Sequence, residues 1–225
     1  MLGNSITDAV HLKRVADKSY FLNKKFGGYS MPCPEKFRET LVQHNIPQEI
    51  ICRINQGFED LVSSSSKKKK AIYFQRATEI LCESCDIDVV HSLYERNACC
   101  KGGSREKASK QFAAKYAQLP IKERIEHIEE VPYMGNAILE DDGIICVNAV
   151  YYKVGEEFAC ACSNYNKLGF QENVRRDYCY CCAGHFLHHY QIMLDVKLKT
   201  REIVSSPLDS HGKEPCVIRF EIVEN

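Results

Sequence analysis

Thirteen cysteines in 225 residues constrain this chain more than any other feature. An odd number cannot pair completely within one chain, and the proportion falls below the ~8–10% of a short disulfide scaffold. At 25.8 kDa the chain is long enough to bury a real hydrophobic core and needs no covalent staples. In a reducing cytoplasm, clustered cysteines serve as metal ligands or reactive thiols more often than as disulfides. Function therefore turns on where they sit.

Charge and hydropathy exclude several classes. Thirty Lys and Arg offset thirty Asp and Glu, whereas a protein that grips nucleic acid carries a basic excess. The run Ser63-Ser64-Ser65-Ser66-Lys67-Lys68-Lys69-Lys70 has no interleaved aromatics and reads as a solvated loop leading into a helix. No apolar run approaches the ~20 residues that span a bilayer. The opening MLGNSITDAVHLKR lacks the apolar core of a secretory signal. The expectation is a cytoplasmic protein with neither a nucleic-acid nor a membrane partner.

Periodicity divides the chain into three. Residues 1–30 read as a flexible leader ending at Gly27-Gly28. Residues 31–130 read as mostly helical. Apolar positions from Phe37 to Leu61 recur at helical spacing with a break at Asn45, and Ile72, Phe74, Ala77, Ile80 and Leu81 form a stripe within a helix over 70–83. A further helix is expected over 87–96. Ser104 stands where an N-cap belongs for a helix running to about Leu119, and Pro120 opens another segment. Residues 131–225 change character. Asp141-Asp142-Gly143 separates two β-favouring runs as a hairpin turn would, a helix is expected over 182–194, and strands over 197–205 and 216–223. The expected fold is α+β: a helical N-terminal half packed on an antiparallel sheet with a helix between its strands.

The tightest cysteine set is Cys160-Ala-Cys162 and, after a sixteen-residue gap, Cys179-Tyr-Cys181-Cys182. Two Cys-x-Cys pairs bracketing a loop can deliver four thiolates to one point, which suits zinc and also an iron–sulfur cluster. Held in a strand, each pair would share one face. The ligands chosen are Cys160, Cys162, Cys179 and Cys181, with Cys182 and His185 as substitutes. The alternative is that Cys160 and Cys162 are small hydrophobes on the inner face of a strand.

His185, His188 and His189 fall at i, i+3 and i+4 and share a helix face with that cluster. His188 and His189 are expected to be structural or to face a ligand. Cys82, Cys85, Cys99 and Cys100 form a second candidate set, for metal or as reactive thiols. Cys99 or Cys100 could instead pack onto the first cluster and complete it. A helix start at Gly102-Gly103, with Arg105, Lys107 and Lys110 nearby, should lower their thiol pKa values. Cys33, Cys52 and Cys146 read as core, and Cys216 is ambiguous. No P-loop, dinucleotide fingerprint, Gly-x-Ser-x-Gly or His-Glu-x-x-His is present.

The segment Tyr178-Cys179-Tyr180-Cys181-Cys182-Ala183-Gly184-His185-Phe186, an amphipathic helix after it, Ile203-Val204-Ser205-Ser206, and Gly212 through Phe220 with Cys216 together resemble the end of the 4-vinyl reductase domain. The stretch 80–225 is also similar in cysteine spacing to uncharacterised bacterial cysteine-rich proteins. The chain departs from the reductase-like pattern at Ser205-Ser206 and at Cys216 to Phe220. The resemblance implies helices on an antiparallel sheet with a pocket between them, and binding of a small molecule as the activity. The leading expectation is a zinc-binding protein with a small-molecule binding or sensing domain. The alternatives are a thiol-dependent hydrolase or redox enzyme, and an iron–sulfur protein. The expected partners are a small-molecule ligand and, as one arrangement, a second copy of the chain in a homodimer.

Overall fold

A computed structural model describes residues 33–165 and 174–223; the leader expected over 1–30 lies outside them. In chain order come helices α1 (Pro34–Gln43), α2 (Gln48–Asn55), α3 (Lys67–Ser84), α4 (Ile87–Arg96), α5 (Gly103–Tyr116) and α6 (Ile121–Glu126). Strands β1 (Asn136–Leu139), β2 (Ile144–Val150), β3 (Lys153–Val154) and β4 (Glu157–Phe158) follow. Helix α7 (Tyr180–Leu194) and strands β5 (Lys197–Ser205) and β6 (Cys216–Val223) complete the described chain. The class is α+β, with a four-stranded antiparallel sheet ordered β1-β2-β6-β5. No described helix is long and apolar enough to cross a membrane.

Local chemistry explains most boundaries. Asn45 takes the left-handed conformation (φ 54°) that ends α1, and Pro47 then caps α2, where a missing N–H costs nothing. Ser66 caps α3 by accepting a hydrogen bond from the Lys69 amide at 3.2 Å. The lysine run is therefore the first turn of α3 and not a loop, and Lys70 is fully buried, its ammonium 2.7 Å from the Ser63 carbonyl. The expected stripe also turns slightly: Ile72 is 46% exposed, while Ala71, Phe74, Ala77 and Leu81 face inward. Helix α5 starts on Gly102 without a side-chain cap, so Ser104 does not play the role assigned to it.

One buried cluster runs through both halves of the chain. Phe37 stacks on Tyr94 at 5.6 Å and meets Phe74 edge-on at 5.2 Å. Tyr178, just before α7, packs on Phe74, Tyr94 and Tyr165 with ring centroids 5.2–5.9 Å apart. Helix α7 packs against α4, α5 and β5. The α4–α7 crossing is close because residue 184 is glycine: a Cβ there would collide with the Glu95 backbone. On the sheet, Ile145 pairs with Phe220 and Val147 with Ile218. A bulge between Asn148 and Val150 brings Val150 opposite Cys216. That end of the sheet opens onto a cavity.

Candidate functional site

The cavity holds about 530 Å³ and lies between α7, the start of β6, the α4–α5 connection and the loop after β4. Eight cysteines line it. Cys99 and Cys100 come from the α4–α5 connection, Cys160 and Cys162 from the loop after β4. Cys179, Cys181 and Cys182 come from the entry and first turn of α7, and Cys216 from the first residue of β6. Helical geometry explains the α7 contribution: residues 181, 182 and 185 lie within one turn, so two thiols and the His185 imidazole share a face. Cys160 and Cys162 sit in irregular backbone and not in a strand, so period-two alternation does not aim them. All thirteen cysteines are free thiols.

The fold thus brings Cys160, Cys162, Cys179, Cys181, Cys182 and His185 to one cavity, and adds Cys99, Cys100 and Cys216. Cys82 and Cys85 stand elsewhere: Cys82 lies beside Arg175 and Asp177, and burial pushes its thiol up to about 11. Cys52 is exposed, not core. Cys33 is half-buried and donates to Glu35 at 3.0 Å. Cys146 is buried in β2.

Thiols in the cavity contact one another; Cys179, Cys181 and Cys216 are buried and the other five are half-buried. Cys182 lies within hydrogen-bonding reach of Cys216, and that contact, with burial, pushes its pKa well above the usual thiol range. Burial and the neighbouring Cys162 and Cys179 do the same to Cys160. Cys179 is pushed up to about 12 by burial, against a hydrogen bond with Ser206. The Cys162 thiol is raised by burial and lies 3.2 Å from the Tyr178 hydroxyl. Cys99 contacts Cys100, which lowers its pKa, but its contact with Cys181 and its burial outweigh that, and the net shift is upward. The expected lowering at Cys99 is therefore reversed. Desolvation beats the helix terminus, and Lys107 and Lys110 lie on a groove on another side of α5.

Three histidines of α7 hold the wall that carries Cys99 and Cys100. His189 Nε2 is 2.9 Å from the Cys100 carbonyl and its Nδ1 is 2.9 Å from Ser109 Oγ. His185 and His188 hydrogen-bond the backbone at Cys99 and Lys101. His188 and His189 are not among the residues lining the cavity; His185 is. His185 is 7% exposed, and its Nδ1 has no hydrogen-bond partner. Burial pushes its pKa down to about 3, aided by His189 and Arg105, so the imidazole is neutral. Sequence reasoning missed Cys216 as a wall residue; its place at the entry of an inner strand was the available signal.

Among the described residues, no group of three or more His, Cys, Asp or Glu side chains is disposed, as it stands, to hold a metal ion. No family model matches the chain, and no curated protein or solved structure matches it either.

Proposed function

We propose that the protein binds a thiolate-ligated metal centre inside this cavity and a small molecule beside it, in a reducing compartment such as the cytoplasm. The observation that carries this reading is the convergence of eight cysteines from four chain segments on one cavity. Thiols this crowded and desolvated are poor acids by themselves, but a cation that replaces their protons also relieves their mutual repulsion. Cys160, Cys162, Cys179 and Cys181 are the ligands proposed for zinc, with Cys182 and His185 as substitutes and Cys99, Cys100 and Cys216 within reach. Closing a set on one ion requires these side chains to move from where they stand. The cavity as a whole, at about 530 Å³, falls in the range of small-molecule pockets, ~300–1,000 Å³, which supports an organic ligand.

A second reading, an iron–sulfur centre, is favoured by the same cavity size. A multi-iron cluster spreads its cysteines over several irons and needs more room than one tetrahedral ion. The test is metal analysis of freshly purified, untagged protein prepared without air, before and after incubation with zinc or with iron and sulfide. About one equivalent of metal lost in Cys179→Ser/Cys181→Ser is the result expected of a closed four-ligand site. A brown protein with iron and sulfide in comparable amounts selects the second reading. A wild-type protein that neither retains nor takes up metal, or a double variant that keeps it all, overturns both.

A further inference from the structure

The loop that carries Cys160 and Cys162 folds its own amides back onto its sulfurs. The Cys162 amide donates to Cys160 Sγ at 3.4 Å. The Tyr165 amide closes a turn on the Cys162 carbonyl at 3.0 Å, and the amides of Asn164 and Tyr165 also reach the Cys162 sulfur. A third group, the Tyr178 hydroxyl, lies 3.2 Å from that sulfur. Tyr178 is 2% exposed, and its ring is held against Phe74, Tyr94 and Tyr165. A phenol buried in this way needs a partner for its O–H, and among the described residues Cys162 Sγ is the one in reach. Other cavity thiols are placed differently: Cys182 meets Cys216, Cys99 meets Cys100 and Cys181, and Cys179 meets Ser206. A thiol sulfur is a weak acceptor and offers little to three donors. A metal-bound thiolate is charged and accepts from them strongly.

We propose that Cys162 is the sulfur on which the metal site assembles, and that Tyr178 is a positioning residue acting through it. This rests on the metal half of the function proposed above and is independent of which metal is held. Among the described residues the thiols do not stand closed on an ion. A set must therefore gather around a sulfur already held in place, and Cys162 is held by its turn and by Tyr178. When a metal replaces the Cys162 proton, which passes to solvent, the hydroxyl and the two amides share the charge left on sulfur. Tyr178 does not touch the metal; it sets the electron density that Cys162 gives to it.

The experiment loads the full chain with cobalt(II), whose sulfur-to-metal charge-transfer band reports the ligand sulfurs, and measures affinity by competition with a chelator. Tyr178→Phe is the test, because it removes the hydroxyl and keeps the ring. Tyr165→Phe is the matched control: its buried hydroxyl donates to the Ala71 carbonyl at 3.0 Å and not to a thiol. Tyr178→Phe should weaken cobalt binding about tenfold or more, the usual cost of losing a group hydrogen-bonded to a ligand. The same change should move the band to lower energy, since the sulfur lone pairs lose a donor. Tyr165→Phe should leave both as in the wild type, and Cys162→Ser should weaken binding more than Cys182→Ser. If the centre is iron–sulfur, its reduction potential takes the place of the band and should fall in Tyr178→Phe. A wild type that takes up neither cobalt nor iron and sulfide overturns the metal reading and this proposal with it. Metal uptake with Tyr178→Phe indistinguishable from the wild type, or with equal losses in Tyr165→Phe, overturns this proposal alone. So does a Cys182→Ser variant that loses as much affinity as Cys162→Ser.

Discussion

His189 joins Cys100 to Ser109: one imidazole nitrogen meets the Cys100 carbonyl and the other the Ser109 hydroxyl, each at 2.9 Å. Cys100 itself is left-handed, with φ 64°, a conformation that costs free energy for any residue but glycine. The thiol-bearing wall is therefore held in shape by hydrogen bonds to α7 and not by its own backbone preference.

Replacing His189 with Leu should cost about 1–3 kcal/mol, the penalty for stranding buried polar partners. Urea denaturation measures the loss. Alkylation of Cys99 and Cys100 should speed up more than that of Cys179, which sits on a different segment. Equal acceleration at all three would mean global loosening and refute the tethering role.

Gly184→Ala places a methyl group against the Glu95 backbone. Two helix backbones must separate to admit it, so a loss of about 1–3 kcal/mol is expected, as for overpacked cores. A melting temperature unchanged from wild type would show that the crossing is looser than described.

Glu35 supplies a pH dependence far from the cavity. The Cys33 thiol, and the Ser63 amide and hydroxyl, donate to its carboxylate and hold its pKa near 2 instead of 4.5. A depressed folded-state pKa stabilises the fold above the unfolded value and is lost as pH falls through the folded one. The stability gap between wild type and Glu35→Gln should therefore be constant above pH ~5 and narrow towards pH ~2. Glu35 is partly exposed, so the gap itself is small. Chemical denaturation of both proteins across that range is the check. A gap that widens on acidification would contradict the assignment.

Thiol reactivity should follow burial. Cys52 is exposed, whereas Cys179 is buried and its pKa is raised to about 12. At pH 8, iodoacetamide followed by mass spectrometry should label Cys52 at least about tenfold faster, because the thiolate is the nucleophile. Chelator should speed labelling at cavity positions only if metal protects them. Faster labelling of Cys179 than of Cys52 would contradict the described packing.

What the sequence determined by itself is local. Phe37 and Leu41, or Leu198 and Thr200, carry their burial in a period of 3.6 or 2, and Asn45, Pro47 and Asp141-Asp142-Gly143 mark their breaks chemically, so the helices and the four main strands were legible. So was the short-range grouping of Cys160, Cys162, Cys179, Cys181, Cys182 and His185, since spacing along one helix turn or one loop is already geometry. Tertiary structure decided the rest. Cys99 and Cys216 are 117 positions apart and line one cavity because α7 reaches the α4–α5 connection through His189 and β6 through Cys182 and Tyr190. Ser66 rather than Ser104 became a cap, and Lys70 went inside. Cys99 lost the acidity that its neighbours in sequence promised, because desolvation depends on what packs around a thiol in space and leaves no trace in the order of residues.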